Sequence, residues 1–350
     1  MTALGLSVCI SMAAAVSLGM TRFAYALLLP PMRDDLLWSY TLAGAMNTFN
    51  AVGYLVGALL TPMALRRLGA VRVLIWGALF ATLFMALTGF LIDTSALLLQ
   101  RFLAGVASAA VFVSGGLLAA RLGAQTPSQS GLLLGIYYGG TGWGIVLSAL
   151  MVPAALSWAQ AQGVNHPWSW AWWTLAGLCL MLTILLIVIR LPLNRWAPDA
   201  PPSTMASTKS QPTGQALRQW FFALLGYGCF GVGYIGYMTF VVALLREQGA
   251  TPTDITLFYG LLGIAVVVSS RVWAGLLNRY RGGQALSILN GLLSVATLIP
   301  AMTSAWPLMM LSGLIFGVVF LSLVASTTAM VKHNLPPEQW ASGISVFTVI

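Results

Sequence analysis

Three arginines lie inside stretches that are otherwise apolar: Arg22, Arg101 and Arg271. An ionised side chain near the bilayer centre costs roughly 2.5–3.5 kcal/mol on insertion scales, so it usually faces a cavity or a partner and marks function. Arg22 and Arg101 fall about 8 Å and about 10 Å from the centres of their stretches at 1.5 Å per residue. The two stretches run in opposite directions, so both displacements point to the same side of the membrane. No Asp or Glu lies at that depth, and Asp34 follows Arg22 only twelve residues later, about 18 Å along a straight helix. Two guanidinium groups at one level call for an anion, and Arg takes a carboxylate through two parallel bonds. The competing chemistry is structural: both groups could bond backbone carbonyls and Asn or Tyr side chains, or extend to the membrane surface. Arg271 sits nearer the end of its stretch, where gating or such extension is expected.

Neutral polar residues accompany them. Tyr25 follows Arg22 by three positions, which on an α-helix places both on one face. Asn47 and Asn50 are costly in lipid and must face protein or water; Asn50 could bind a substrate or hold two helices together. Further along, Tyr227, Phe230, Tyr234, Tyr237 and Val241 recur at helical spacing. They could form an aromatic and hydroxyl wall opposite Arg22, with Tyr234 and Tyr237 as substrate contacts, or serve only in packing.

The elements that must position these groups are membrane helices. The 350 residues are 59% hydrophobic and 7% charged, with a mean hydropathy of +0.89, against about a quarter charged in soluble domains. Apolar spans are expected at 4–30, 41–64, 71–92, 96–120, 131–156, 168–190, 217–245, 254–278, 283–303 and 306–331. Each suits a hydrocarbon core of about 30 Å, and none alternates as a barrel strand would. An eleventh span begins near Trp340 and stops at Ile350, so the sequence reads as a fragment lacking the rest of that helix and one more. Ala13-Ala14-Ala15 imitates a signal-peptide cleavage site. No basic residue precedes the apolar run, however, and the run continues through Leu29; a retained first helix is expected.

Alternate loops assign eleven Lys and Arg residues to one side (from Arg66, Arg67 and Arg72 to Arg279, Arg281 and Lys332) and two, Arg33 and Arg246, to the other. The basic-rich side is cytoplasmic, which places the N-terminus inside. The Trp-rich run His166-Pro-Trp-Ser-Trp-Ala-Trp-Trp173 then falls at the outer interface, where Trp prefers to sit. The net charge of +9 is spread over short loops, which excludes a nucleic-acid patch. A Pro- and Ser-rich stretch gives the expected organisation: a six-helix bundle over 1–190, a cytoplasmic linker over 191–216 and a second, incomplete bundle over 217–350. The bundles read as repeats. Pro62-Met-Ala-Leu-Arg-Arg-Leu-Gly69 lies over Gly275-Leu-Leu-Asn-Arg-Tyr-Arg-Gly282, and Arg101-Phe-Leu-Ala-Gly105 over Gly313-Leu-Ile-Phe-Gly317. The fold class is therefore an all-α membrane protein of two six-helix bundles in pseudo-twofold repeat, truncated in helix eleven. Such duplication lets two halves rock about a site.

With these features the chain resembles the major facilitator superfamily over its whole length. Gly19-Met-Thr-Arg-Phe-Ala-Tyr-Ala-Leu-Leu-Leu-Pro30 and Asn50-Ala-Val-Gly-Tyr-Leu-Val-Gly-Ala58 look like its YbfB/YjiJ-type group. The resemblance implies that the first and fourth helices line a central cavity, which would put Arg22 and Arg101 in it. It also implies a carboxylate latch in the loop after helix two. Here the Asp position holds Arg66 in one repeat and Arg279 in the other. Arg66, Arg67, Arg271 and Arg279 are then gating candidates that could pair with helix C-terminal carbonyls or lipid headgroups.

Cys9, Cys179 and Cys229 show no pairing or ligand spacing, and His166 and His333 are expected in solvated loops. No metalloprotease, triad or phosphate-loop motif occurs, so neither an enzyme nor a cofactor is expected. No carboxylate proton carrier lies deep in a span. Glycines on the fifth span (Gly131, Gly135, Gly139, Gly140, Gly142 and Gly144) indicate close helix contacts. The expected function is alternating-access transport of a small organic anion by a monomer in the bacterial inner membrane. A multidrug-type exporter and a non-transporting sensor on the same scaffold are the alternatives.

Overall fold

The computed structural model describes residues 2–126, 129–197, 220–335 and 346–347. Among them, ten helices are long and apolar enough to cross a membrane, one for each expected span. The first is composite. It comprises α1 (Ala3–Ala14), a π-helical segment (Ala15–Phe23) and α2 (Tyr25–Asp35). Then follow α3 (Tyr40–Leu68), α4 (Ala70–Thr88), α5 (Thr94–Gln125), α6 (Ser130–Ala161), α7 (Pro167–Val188) and a short α8 (Arg190–Trp196). The remainder is α9 (Phe221–Glu247), α10 (Pro252–Val272), α11 (Ala274–Arg279), α12 (Gln284–Met302) and α13 (Trp306–Asn334).

Local chemistry sets several boundaries. Ser39 and Asp93 cap α3 and α5, their side-chain oxygens accepting the amides of Leu42 and Ala96, which satisfies donors that a helix start leaves open. Gly69 ends α3 at φ 81°, a backbone setting that residues with a Cβ adopt only with strain. The expected span 254–278 breaks at Trp273, whose indole N–H donates to the Val318 carbonyl of α13 at 3.0 Å. The start of the expected linker is helical in α8, with Leu193 buried. The rest of that linker and most of the eleventh span lie outside the described residues.

The chain divides into two compact units: Met1–Asp199 with Met238–Val267, and Ala200–Tyr237 with Val268–Ile350. In the first unit α3 and α5 cross with their backbones touching. A Cβ on Gly53 would sit 1.9 Å from the Phe102 carbonyl oxygen, and one on Gly105 would sit 2.1 Å from that of Asn50. The α6 glycines divide their partners by face, with Gly140 and Gly144 against Ser11 and Ala15 of the first helix and Gly142 against Gly263 of α10. Close approach, the role read from sequence, accounts for all three. The Trp cluster Trp158, Trp170 and Trp173, with ring centroids 4.8 and 5.2 Å apart, gathers at one end of α6 and α7.

In the second unit Ser312 of α13 donates to the Ala296 carbonyl of α12 at 2.6 Å. In the first, Gln100 of α5 donates to the Phe84 carbonyl of α4 at 2.7 Å. Both partners shift by the same 212 positions (100 to 312, 84 to 296). One bond therefore recurs in both halves, in the register that lays Arg101 over Gly313. That register also equates Tyr25 with Tyr237 and Arg22 with Tyr234.

The two histidine expectations are met in part. His166 lies in the α6–α7 loop and is partly exposed, as expected, but it is also paired, its Nδ1 lying 2.5 Å from Asp35 Oδ2 at the end of α2. His333 is in the last turns of α13 rather than in a loop, although it is exposed.

Candidate functional site

The site is built around the π-helical segment. A π-turn widens the helix and turns carbonyls away from their α-helical partners, and such segments concentrate at functional sites. Here side chains take up those carbonyls. Thr21 Oγ1 donates to the Val16 carbonyl at 2.7 Å, and Ser108 of α5 to that of Ser17 at 2.8 Å. Tyr259 of α10 donates to the Phe23 carbonyl at 2.6 Å, and Arg101 Nη1 to that of Thr21 at 2.9 Å. Gly19, mid-segment, lets the Gly144 backbone approach closely.

Arg101 is only 2% exposed. Its guanidinium carbon lies 4.9 Å from the Tyr25 ring centroid and 5.7 Å from that of Trp172, within range for a cation–π contact. Nη1 is occupied by Thr21. Nε and Nη2, the two nitrogens on one edge of the fork, have no hydrogen-bond partner among the described residues. Buried donors left unmatched cost more than a made bond returns. That edge is the one that takes a carboxylate side-on.

Arg22, 6% exposed, sits over the Tyr54 ring at 5.5 Å. The sequence placed Tyr25 on the face of Arg22. Tyr25 lies beneath Arg101 and donates to the Ala43 carbonyl at 2.8 Å. Asn50 is fully buried and donates to the Arg101 carbonyl at 3.0 Å, joining α3 to α5, and its Oδ1 has no hydrogen-bond partner among the described residues. Among the described residues the carboxylates stay at helix ends. Asp34 and Asp35 close α2, Asp93 caps α5, and Glu247 and Asp254 lie at the adjoining ends of α9 and α10.

In the second unit Tyr237 bonds Ser312 at 2.8 Å and stacks on Phe316 at 4.2 Å. Tyr234 is partly exposed and lies between Phe230 and Phe320 at 4.9 and 5.1 Å. Arg271 and Arg279 are exposed near the breaks that bound α11, as are Arg66 and Arg67 in the last turn of α3.

Residues 238–267, in the same unit as α1 to α7, hold one end of that unit. Asn47 Nδ2 donates to Thr239 Oγ1, and the Phe240 ring meets Gly44 and, at 6.2 Å, the Tyr40 ring. At the rim, Glu247 accepts from the Tyr40 hydroxyl and faces Arg33 at 3.8 Å. The two layers differ in worth. Exposed ion pairs contribute about 0–1 kcal/mol, whereas losing one partner of a buried bond costs about 1–3 kcal/mol. Asn47→Ala is therefore expected to raise hydrogen–deuterium exchange over residues 238–247 about tenfold, and Glu247→Gln at most a few-fold. Equal effects from the two substitutions would contradict this ordering.

Comparison with known proteins agrees with this architecture. Residues 14–350 match the family described as "Uncharacterised MFS-type transporter YbfB". Among solved structures the fold is shared with the nucleoside transporter NupG (TM-score 0.67, 14% identity, 99% of this chain and 87% of that one). It is shared with a bacterial homolog of the human lysosomal transporter Spinster (0.70, 13%, 99% and 80%) and with the xylose transporter XylE from E. coli (0.62, 12%, 98% and 88%). No curated protein matches the sequence. A matched region that runs through nearly the whole chain, over a fold shared with these transporters, makes the protein a member of the YbfB-type family of major facilitator superfamily transporters.

Proposed function

We propose that the protein carries a small organic anion across the bacterial inner membrane by alternating access, as a monomer with its N-terminus in the cytoplasm. The observation that supports an anionic cargo most strongly is the edge of Arg101. A guanidinium buried to 2% exposure keeps Nε and Nη2 without hydrogen-bond partners among the described residues, and a carboxylate satisfies both at once. Arg22 strengthens the case as a second buried guanidinium of the same unit, since like charges in a low-dielectric region repel and an anion relieves that repulsion. A cationic cargo would add to that repulsion.

In this reading Arg101 and Arg22 hold the anion, Tyr25 supports the Arg101 fork from below, and Asn50 fixes the α5 backbone that carries it. Tyr234 and Tyr237 enter as the second repeat's counterparts of Arg22 and Tyr25. Arg66, Arg67, Arg271 and Arg279 enter as gating residues at the basic loops, where helix C-terminal carbonyls and anionic headgroups are available.

The test is uptake of labelled organic acids by cells producing the protein, against cells without it. Arg22→Ala is expected to abolish uptake while the protein folds and inserts in normal amount. Normal uptake by this variant would remove Arg22 from the site.

A further inference from the structure

Three sulfurs from three helices of the first unit meet in its interior. Cys179 of α7 has its Sγ 3.4 Å from Met20 Sδ on the π-helical segment and 3.6 Å from Met85 Sδ on α4. All three side chains are fully buried. Met20 and Met85 stand 159 and 94 residues before Cys179 in the chain, so no sequence spacing betrays them. Among the described residues no three His, Cys, Asp or Glu side chains gather in a way that could hold a metal; this cluster emerges only when thioethers are counted as ligands.

Packing accounts for an ordinary buried methionine, which fills gaps and accepts a weak hydrogen bond. Met32 is one such, its sulfur accepting the Trp172 indole N–H at 3.4 Å. Met20 and Met85 differ, because a thiol has one proton and serves one acceptor at a time. The Thr21 hydroxyl, 3.8 Å from Met85 Sδ, already donates to the Val16 carbonyl at 2.7 Å. Two thioethers thus compete for one weak donor. A soft cation in place of the thiol proton ends that competition, since it binds the thiolate and both thioethers together. Thiolate and thioether ligands select Cu(I), and Ag(I) shares its softness. Charge points the same way. A monovalent ion replacing a proton leaves the buried site neutral, whereas a divalent ion would leave an uncompensated charge among apolar side chains. With metal–sulfur bonds of about 2.3 Å, a trigonal ion needs sulfurs about 4 Å apart, so each measured pair opens by only about half an ångström.

We infer that Cys179, Met20 and Met85 form a binding site for a soft monovalent metal ion of the Cu(I) class. On binding, the Cys179 S–H bond breaks, the proton leaves to solvent and a sulfur–metal bond forms, with no electron transferred. The inference does not rest on the anion-binding reading. The two sites adjoin only through Met20, the chain neighbour of Thr21, whose carbonyl holds Arg101.

The experiment uses the full chain carrying Cys9→Ser and Cys229→Ser, which leaves Cys179 as its one thiol. Cu(I) binding is measured in competition with bathocuproine disulfonate, and Ag(I) binding by elemental analysis after desalting in chloride-free buffer. One ion per protein is expected. Met20→Leu with Met85→Leu on this background keeps the thiol and nearly the same volume. It is expected to weaken Cu(I) binding about a hundredfold or more, since even the outer-shell partners of metal ligands are worth about 10–100-fold. X-ray absorption at the copper edge of the loaded parent is expected to show three sulfur neighbours and no nitrogen or oxygen. A parent that binds no ion overturns the inference. So does a leucine variant that binds as tightly as the parent, which would mean capture by a thiol alone. Any other first shell around copper also overturns it, whether or not the leucine variant folds. Because no cargo enters these measurements, their failure leaves the anion-binding reading untouched.

Discussion

Arg101→Lys is expected to reduce carboxylate uptake about a hundredfold while leaving the amount of inserted protein unchanged. Lysine keeps the positive charge and can still reach the Thr21 carbonyl, so the substitution isolates the geometry of the fork. What disappears is the side-on pair Nε and Nη2, which the described residues leave unbonded. Hydrogen bonds to charged groups are worth about 1.5–3 kcal/mol each, and every 1.4 kcal/mol corresponds to about tenfold; losing the two together, offset in part by the remaining ammonium, gives the hundredfold figure. Initial uptake rates against immunodetected protein in the membrane would measure it. A lysine variant with near-normal rates would mean that the free edge serves packing and not cargo.

The second large effect concerns the frame that holds Arg101. Gly53→Val is expected to lower the yield of monodisperse protein at least tenfold. Its Cβ would lie 1.9 Å from the Phe102 carbonyl oxygen, and that atom belongs to a helix backbone that cannot step aside. Overpacking a tight core usually costs about 1–3 kcal/mol, and here α3 and α5 must also separate, which breaks the bond from Asn50 to the Arg101 carbonyl. Gly177→Val is the matched control, since a Cβ at Gly177 meets nothing within 4 Å. Fluorescence-detected size-exclusion chromatography of the two variants should separate them clearly, and similar profiles would contradict the crossing described for α3 and α5.

The helices were legible in the sequence because lipid imposes one rule on every span: about twenty apolar residues whose backbone bonds are all internal. Arg22 and Arg101 stood out for the same reason, since a charge among apolar residues is costly anywhere in such a span. The finer chemistry was not legible. Hydropathy does not distinguish a five-residue from a four-residue hydrogen-bond step, so the π-helical segment and the contact of Tyr25 with Arg101 left no signal. Nor could spacing reveal that Nη1 is taken by a carbonyl while Nε and Nη2 are not. Tyr259 lies 236 residues from Phe23, a separation over which one sequence gives no pairing information. Tyr54 lay within a motif that carried only the family resemblance, and nothing in it pointed to a place beneath Arg22. The repeat was visible as two short matches, and the paired bonds of Gln100 and Ser312 give it a register.

Direct titration of the purified protein with matched carboxylates, amines and neutral solutes tests the anionic reading most plainly. The expected result is saturable binding of carboxylates only, lost in Arg101→Lys. Binding of amines or uncharged solutes with no response to carboxylates would contradict it.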